Sequence, residues 1–246
     1  VFIGQSRLPA PARGVSALAA MAGRTVPLRL VIFDCDGVLV DSEPVANRVV
    51  ADMLSAEGWV MTPHEADRHF LGMSFPDMVP VVEGKLGRRL VAGWESRLVA
   101  AVMRALATEL GAIPGAIEAL RAVTALGLPW RIASNSSHAE MALKFRCIGL
   151  SDLVAGRLHS FEDVARGKPA PDLFLATAAA EDVPAEACVV IEDSSTGARA
   201  AASANMMCLG FGRGAQAEPL RAVGALPFAS MFDLPALIAA APRGIL

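Results

Sequence analysis

Short apolar runs that stop at polar loops, separated by helical stretches, constrain this chain more than any other feature. Leu28-Arg29-Leu30-Val31-Ile32-Phe33 stops at Asp34, Trp130-Arg131-Ile132-Ala133 at Ser134, and Cys188-Val189-Val190-Ile191 at Glu192, while Met206–Leu209 closes the series. Leu153–Gly156 reads as one further strand. A helix from about His138, and others over Pro171–Glu181 and Thr196–Ala204, fall between them. Strands of continuous apolar character, alternating with amphipathic helices, predict a parallel sheet covered on both faces. One block departs from the alternation. From Pro44 to about Leu110 the apolar residues (Val45, Val49, Val50, Met53 and Leu54, then Leu98, Val102, Met103, Leu106 and Leu110) recur at helical spacing with no strand between them. Ala112-Ile113-Pro114-Gly115 then punctuates the chain. The expected class is α/β: a core from residues 28–42 and 113–246, with an all-helical second domain, residues 43–112, inserted after the first strand.

Composition narrows the functional classes. With 246 residues, 54% apolar and 19% charged, the chain can bury a large core, which excludes intrinsic disorder. A formal charge of −3 leaves no electrostatic footprint for nucleic acid. The mean hydropathy of +0.45 reflects alanine content. Apolar runs such as Val15–Ala22 and Leu237–Ala241 fall far short of the roughly 18–20 residues that a bilayer crossing needs, so no membrane partner is expected. Cys35, Cys147, Cys188 and Cys208 lie far apart, without the spacing of a zinc site or a disulfide framework. Reduced thiols and a cytoplasmic location are the default, and so is a monomer. The first 33 residues carry Arg7, Arg13, Arg24 and Arg29 and no acid. Such a leader resembles an organellar transit peptide. The preferred reading is a poorly ordered N-terminal extension over residues 1–27, with Met21 a candidate start.

The segment Phe33-Asp34-Cys35-Asp36-Gly37-Val38-Leu39-Val40-Asp41-Ser42-Glu43-Pro44 carries the most chemistry. Two carboxylates two residues apart, directly after a buried strand, repel each other unless a cation is near. The carboxyl ends of parallel strands are where α/β proteins bind ligands. A solvated Asp-x-Asp-Gly turn is the plain alternative. A calcium loop fails, because the later acids and the terminal Glu are missing. Ser134-Asn135-Ser136-Ser137 offers donors to phosphate oxygens, or simply a helix N-cap. Gly167-Lys168-Pro169 presents one of only three lysines, against 19 arginines, and Glu192-Asp193 adds two acids that bind metal or begin a helix.

Together and in this order, these four segments resemble the signature motifs of the haloacid dehalogenase superfamily of phosphohydrolases, from about Leu28 to the C-terminus. The pattern is similar to the helical-cap subgroup containing sugar-phosphate phosphatases and β-phosphoglucomutase. The resemblance implies a Rossmann-like parallel-sheet core with an inserted all-helical cap domain. It also implies a magnesium-dependent phosphatase of a small phosphorylated sugar or sugar acid. Asp34 would be the nucleophile, forming an aspartyl-phosphate, and Asp36 the general acid and then base. Mg2+ would be held by the Asp34 carboxylate, the Asp36 carbonyl and Asp193, with Glu192 nearby. Ser134 and Lys168 would grip the phosphoryl group, and Gly37 and the Asn135 backbone would line the same pocket.

Departures from relatives sharpen the expectation. The family's mutases carry a His twelve positions after the nucleophile, where this chain has Ala46. They also carry an Arg soon after a Gly-x-Ser, whereas Gly72-Met73-Ser74 here is followed by Phe75. A mutase is therefore the second reading, and a catalytically idle binding module the third. Asp36 argues against a haloacid dehalogenase, and Lys85 lies in surroundings unlike a Schiff-base phosphonatase. His64, His69, His138 and Arg88-Arg89 read as surface or helix-packing residues, and Met206-Met207-Cys208 as core strand.

Overall fold

The computed structural model describes residues 16–70, 73, 75–212 and 214–242. In chain order its elements are α1 (Ala17–Ala22), β1 (Leu30–Phe33), α2 (Glu43–Ala56), α3 (Pro63–Phe70), α4 (Phe75–Leu86), α5 (Trp94–Glu109), α6 (Ala116–Ala125), β2 (Trp130–Ser134), α7 (His138–Cys147), α8 (Ser151–Val154), β3 (Leu158–Ser160), α9 (Asp172–Ala179), β4 (Cys188–Glu192), α10 (Ser195–Ser203), β5 (Met207–Phe211), α11 (Ala217–Ala222), β6 (Leu226–Phe228) and α12 (Leu234–Ala239).

The six strands form one sheet in the order β3-β2-β1-β4-β5-β6, parallel at every pairing. The central strand β1 is buried along its whole length. Its side chains alternate between two cores, which is why its sequence is apolar throughout. Val31 and Phe33 join Trp130, Ile132 and Ile191 under α6, α7 and α12. Leu30 and Ile32 join Ala133 and Val190 under α9 and α10. On that second face Ala198, Ala200 and Ala201 of α10 are fully buried. Small side chains let this helix lie close to the sheet, so much of the chain's alanine is core.

Helices α2 to α5 enclose a third core of their own, built on Val49, Leu54, Phe70, Trp94, Leu98 and Val102. This helical layer hangs from the sheet by two adjacent linkers. Asp41 N donates to Gly111 O at 2.9 Å and Ile113 N to Leu39 O at 3.0 Å. The fold is therefore the Rossmann-like parallel sheet with an inserted helical cap. Among the described residues no helix is long and apolar enough to cross a membrane.

Two expectations need correction. The apolar run Leu153–Gly156 is not a strand. Ser151–Val154 forms the single-turn helix α8, and the strand is Leu158–Ser160, whose Leu158 and His159 are half-buried. An edge strand borders solvent and needs no continuous apolar run, so the apolar signal fell on the neighbouring turn that plugs the core through Val154. The sheet also gains an edge at β6, whose Pro227 suits a border strand.

The expected disorder of 1–27 does not hold over its described part. Ser16 caps α1, Ala17 and Met21 are buried, and Leu28 N donates to Pro242 O at 2.7 Å. Residues 1–15, with Arg7 and Arg13, lie outside the described residues. Because Met21 is 0% exposed in the main core, Met21→Ala is expected to cost about 2–5 kcal/mol in urea denaturation. An unchanged midpoint would return α1 to the status of a dispensable extension.

Candidate active site

The site assembles where four loops leave the carboxyl edge of the sheet. Asp34 directly follows β1, and its backbone N donates to Ile191 O at 2.9 Å. Gly37 then takes φ +70° and its N–H donates to Val40 O at 2.9 Å, turning the chain back. A Cβ at Gly37 would stand 1.8 Å from Asp193 Oδ2, so any other residue, besides straining this turn, would displace that carboxylate. Ser134 ends β2 and is buried. The Ser137–Glu140 capping box starts α7 one turn later.

Lys168 lies at the centre. Its Nζ donates to Asp34 Oδ1 and to Glu192 Oε1, each at 2.7 Å, and sits 4.8 Å above the Phe174 ring. The side chain of Asn135 clasps the Lys168 backbone, with Lys168 N donating to Oδ1 at 2.9 Å and Nδ2 donating to Lys168 O at 3.0 Å. The Asn135 amide is thus committed to holding the lysine. Gly167 makes room, since a Cβ there would meet Asn135 Oδ1 at 2.7 Å. Glu192 is fully buried, and its second oxygen accepts from Ser194 N at 3.1 Å and Ser194 Oγ at 2.9 Å.

Asp36 has a separate set of partners. Ser42 Oγ donates to Oδ1 at 2.5 Å and Ser136 Oγ to Oδ2 at 2.8 Å, while Lys144 Nζ lies 2.8 Å from the carboxylate. Lys144 and the Ser136 and Ser42 hydroxyls escaped sequence reasoning as partners of Asp36. A lysine inside α7 reads as solvated, yet its place between Met141 and Phe145 on the helix's buried stripe was the signal.

Electrostatics separates the two aspartates. Burial and the neighbouring Glu192 outweigh Lys168 and push Asp34 up to about 7. Burial also acts on Asp36, but Lys144 and the two serine hydroxyls prevail and hold its carboxyl below the usual value. Asp193 is raised well above its usual value by burial, Glu192 and Asp34.

Asp34, Glu192 and Asp193 offer oxygens that all lie within 4.8 Å of one another. Three carboxylates so close, two of them raised, form a hard-oxygen donor set suited to a divalent cation. The cleft above them has a volume of about 830 Å³. Asp34, Asp36, Ser134 and Lys168 line its floor, and Met73, Phe75 and Pro76 of the helical layer face them. Gly72 and Ser74 lie outside the described residues. His64, His69, Lys85 and Arg88 do not line the cleft. His69 packs on Trp59 with ring centroids 5.4 Å apart, Lys85 Nζ lies 5.7 Å from the Trp59 ring centre, and Arg88 pairs with Glu57 at 2.7 Å. His138 Nε2 lies 2.8 Å from Asp163. All four cysteines are free.

Comparison with known proteins agrees with this geometry. The family model of haloacid dehalogenase-like hydrolases matches residues 28–205. The 6-phosphogluconate phosphatase of Escherichia coli K12 is 31% identical over 85% of this chain and 94% of its own. Hexitol phosphatase A of the same organism is 31% identical over 68% of this chain and 74% of its own. The crystal structure of a conserved haloacid dehalogenase-like protein of unknown function from Agrobacterium tumefaciens C58 superposes with a TM-score of 0.77. It is 34% identical, covering 87% of this chain and 98% of that one.

The raised Asp34 pKa has a thermodynamic consequence. A carboxyl raised from 3.8 to about 7 by folding contributes stability below its unfolded value and loses it as pH rises through the folded one. In chelator, the thermal midpoint should therefore fall between about pH 5 and pH 8. A divalent cation such as magnesium should raise it, more at the upper pH, since it binds carboxylates and not acids. A midpoint at pH 8 indifferent to the cation would remove metal from this cluster.

Proposed function

The chain belongs to the haloacid dehalogenase-like hydrolases, and from that premise we propose a magnesium-dependent phosphatase that hydrolyses a small phosphorylated sugar or sugar acid through an aspartyl-phosphate. The observation that carries the reading is that Asp34 and Asp36 face one cleft while Lys168 Nζ holds Asp34 Oδ1 at 2.7 Å. A carboxylate that attacks an anionic ester needs positive charge beside it, and Lys168 provides that charge at the nucleophile.

In the first half-reaction an Asp34 oxygen bonds to phosphorus. The ester P–O bond breaks, and its electron pair stays with the leaving oxygen, which takes the proton of the Asp36 carboxyl. In the second, the Asp36 carboxylate takes a proton from water, the resulting hydroxide bonds to phosphorus, and the bond to Asp34 breaks. The proton that Asp36 takes from water is the one it gives to the next leaving oxygen, and Lys144 pairs with the anion that exists between the two half-reactions. Ser134 and Lys168 hold the phosphoryl oxygens, and the Gly37 and Asn135 backbones line the pocket.

Asp34, Asp193 and the Asp36 carbonyl would hold the magnesium ion. Both Glu192 oxygens are already engaged, by Lys168 and Ser194, so Glu192 supports the site from behind. Bound there, magnesium supplies positive charge to the phosphoryl oxygens and fixes their orientation.

The 6-phosphogluconate and hexitol phosphatases among the relatives support a phosphorylated carbohydrate as substrate. A cleft of about 830 Å³ suits a small metabolite, and the apolar Met73, Phe75 and Pro76 suit the exclusion of water from the reacting centre. Hydrolysis is favoured over mutase chemistry because, among the described lining residues, Lys168 is the sole cation. A bisphosphate would find no second basic group there. Ala46 packs with the helical layer's own core, and Phe75 lines the cleft. The four free thiols fit a cytoplasmic enzyme, and we propose that it acts as a monomer.

Phosphate release from sugar, sugar-acid, hexitol and glycolate phosphates with magnesium is the direct test. Asp34→Asn should abolish release, and Asp36→Ala should slow it by about 10²–10⁴-fold. Isomerised sugar phosphate without free phosphate would replace this reading with a mutase. Silence across the panel, with Asp34 unable to accept a phosphoryl group, would leave an idle module.

A further inference from the structure

We infer that Lys144, reaching in from α7, is a positioning residue that holds the Asp36 carboxylate toward the leaving-group oxygen; this rests on the acid–base reading of Asp36 above. Lys144 does not line the cleft and touches no reacting atom. Its side chain is 5% exposed. Burying an ammonium costs several kcal/mol unless it is fully paired, so the place is held for its partners.

Those partners converge on one carboxylate. Lys144 Nζ lies 2.8 Å from the Asp36 carboxylate and donates to Ser136 Oγ at 2.7 Å. That hydroxyl in turn donates to Asp36 Oδ2 at 2.8 Å. Ser42 Oγ donates to Oδ1. The three donors come from three segments, the entry to α2, the loop after β2 and the last turn of α7. They fix both oxygens of a side chain that is still 30% exposed to the cleft. Without them, rotation about χ1 would carry the carboxylate off the scissile bond, and a displacement of about 1 Å can cost about 10²-fold in rate.

The chain's use of basic residues points the same way. Arginine outnumbers lysine 19 to 3, and two of the three lysines are buried, one against each aspartate of the Asp34–Asp36 pair. A compact ammonium on a slender stem fits between Ser136 and Asp36, whereas a planar guanidinium demands more room.

The test separates positioning from mere structural support by the need for a proton. In the first half-reaction the leaving oxygen takes the bonding pair and the Asp36 proton. A nitrophenolate leaves without that proton, and an alkoxide does not. Single-turnover rates would be measured for wild type, Lys144→Met, Ser136→Ala and Asp36→Asn, with magnesium, on p-nitrophenyl phosphate and on sorbitol 6-phosphate.

Lys144→Met is expected to slow the hexitol phosphate by about 10²-fold while leaving the nitrophenolate burst within about 3-fold. An equal loss on both substrates overturns the inference. Ser136→Ala keeps the ion pair and should fold even where Lys144→Met does not. It should show the same selectivity in smaller degree, and an equal effect on both substrates there also overturns the inference. If Asp36→Asn itself is unselective, the acid–base reading of Asp36 falls. If Asp36→Asn is selective and Lys144→Met is not, the Lys144 inference falls alone.

Discussion

A single buried ammonium organises the carboxyl edge of this sheet. Lys168 Nζ lies 2.7 Å from Asp34 and 2.7 Å from Glu192, at the ends of two adjacent strands. Parallel strands run about 4.8 Å apart, so the register that sets Phe33 beside Ile191 forces those two carboxylates together. Two buried like charges at that range are untenable alone, and a lysine between them converts the repulsion into a clamp. The other contacts depend on it. Asn135 holds the lysine's backbone, and Gly167 is small so that Asn135 can. The free oxygen of Glu192 accepts from Ser194, whose hydroxyl caps α10. That helix can start there because Gly197 lacks the Cβ that would stand 1.7 Å from Glu192 Oε1.

The sheet order explains why residues so far apart in sequence meet. With β1 between β2 and β4, the loops after the three strands are neighbours, and each contributes a polar side chain at its first or last position. The core beneath is apolar on both faces, so these are the positions where charge can gather at an opening to solvent. The helical layer lies over that opening and carries its own core, tied to the sheet by the paired linkers at Leu39–Asp41 and 111–113 and touching α7 through α5, where Cys147 Sγ donates to Ala107 O. Ser42, the residue between linker and α2, donates to Asp36. The orientation of that carboxylate is therefore referenced both to the sheet, through Ser136, and to the point where the insertion begins.

What could be read from the sequence followed from how strongly each feature is constrained. Strands β1, β2, β4 and β5 lie inside the sheet and must be apolar, so their runs stood out, and the polar residues that end them marked the site. Strand β3 lies at an edge, where Leu158-His159-Ser160 meets no such demand, and the apolar Leu153 and Val154 beside it drew the assignment instead. Helix α1 is one and a half turns of mostly alanine, too short to show a period, yet Met21 is buried in the main core. Lys168 stood between Gly and Pro and could be singled out. Lys144 left a weaker trace, its place between Met141 and Phe145 on α7, because the partner that this stripe of the helix meets is decided by tertiary packing.

Counting the charges at the site links the fold to the chemistry it serves. Asp34, Asp36, Glu192 and Asp193 contribute four carboxylates, against the two ammoniums of Lys144 and Lys168. Each lysine is spent, one on each aspartate of the motif, with Glu192 sharing the second. Two negative charges are left over, and the raised values of Asp34 and Asp193 are where that excess appears. A proton can relieve it at low pH. At neutral pH one divalent cation would do the same and leave each carboxylate ionised, because a carboxylate that gives one oxygen to a cation keeps its second oxygen free. The excess charge is costly to an empty fold, and a cation that offsets it would also remove the repulsion that a phosphate, bringing its own negative charge, would meet there.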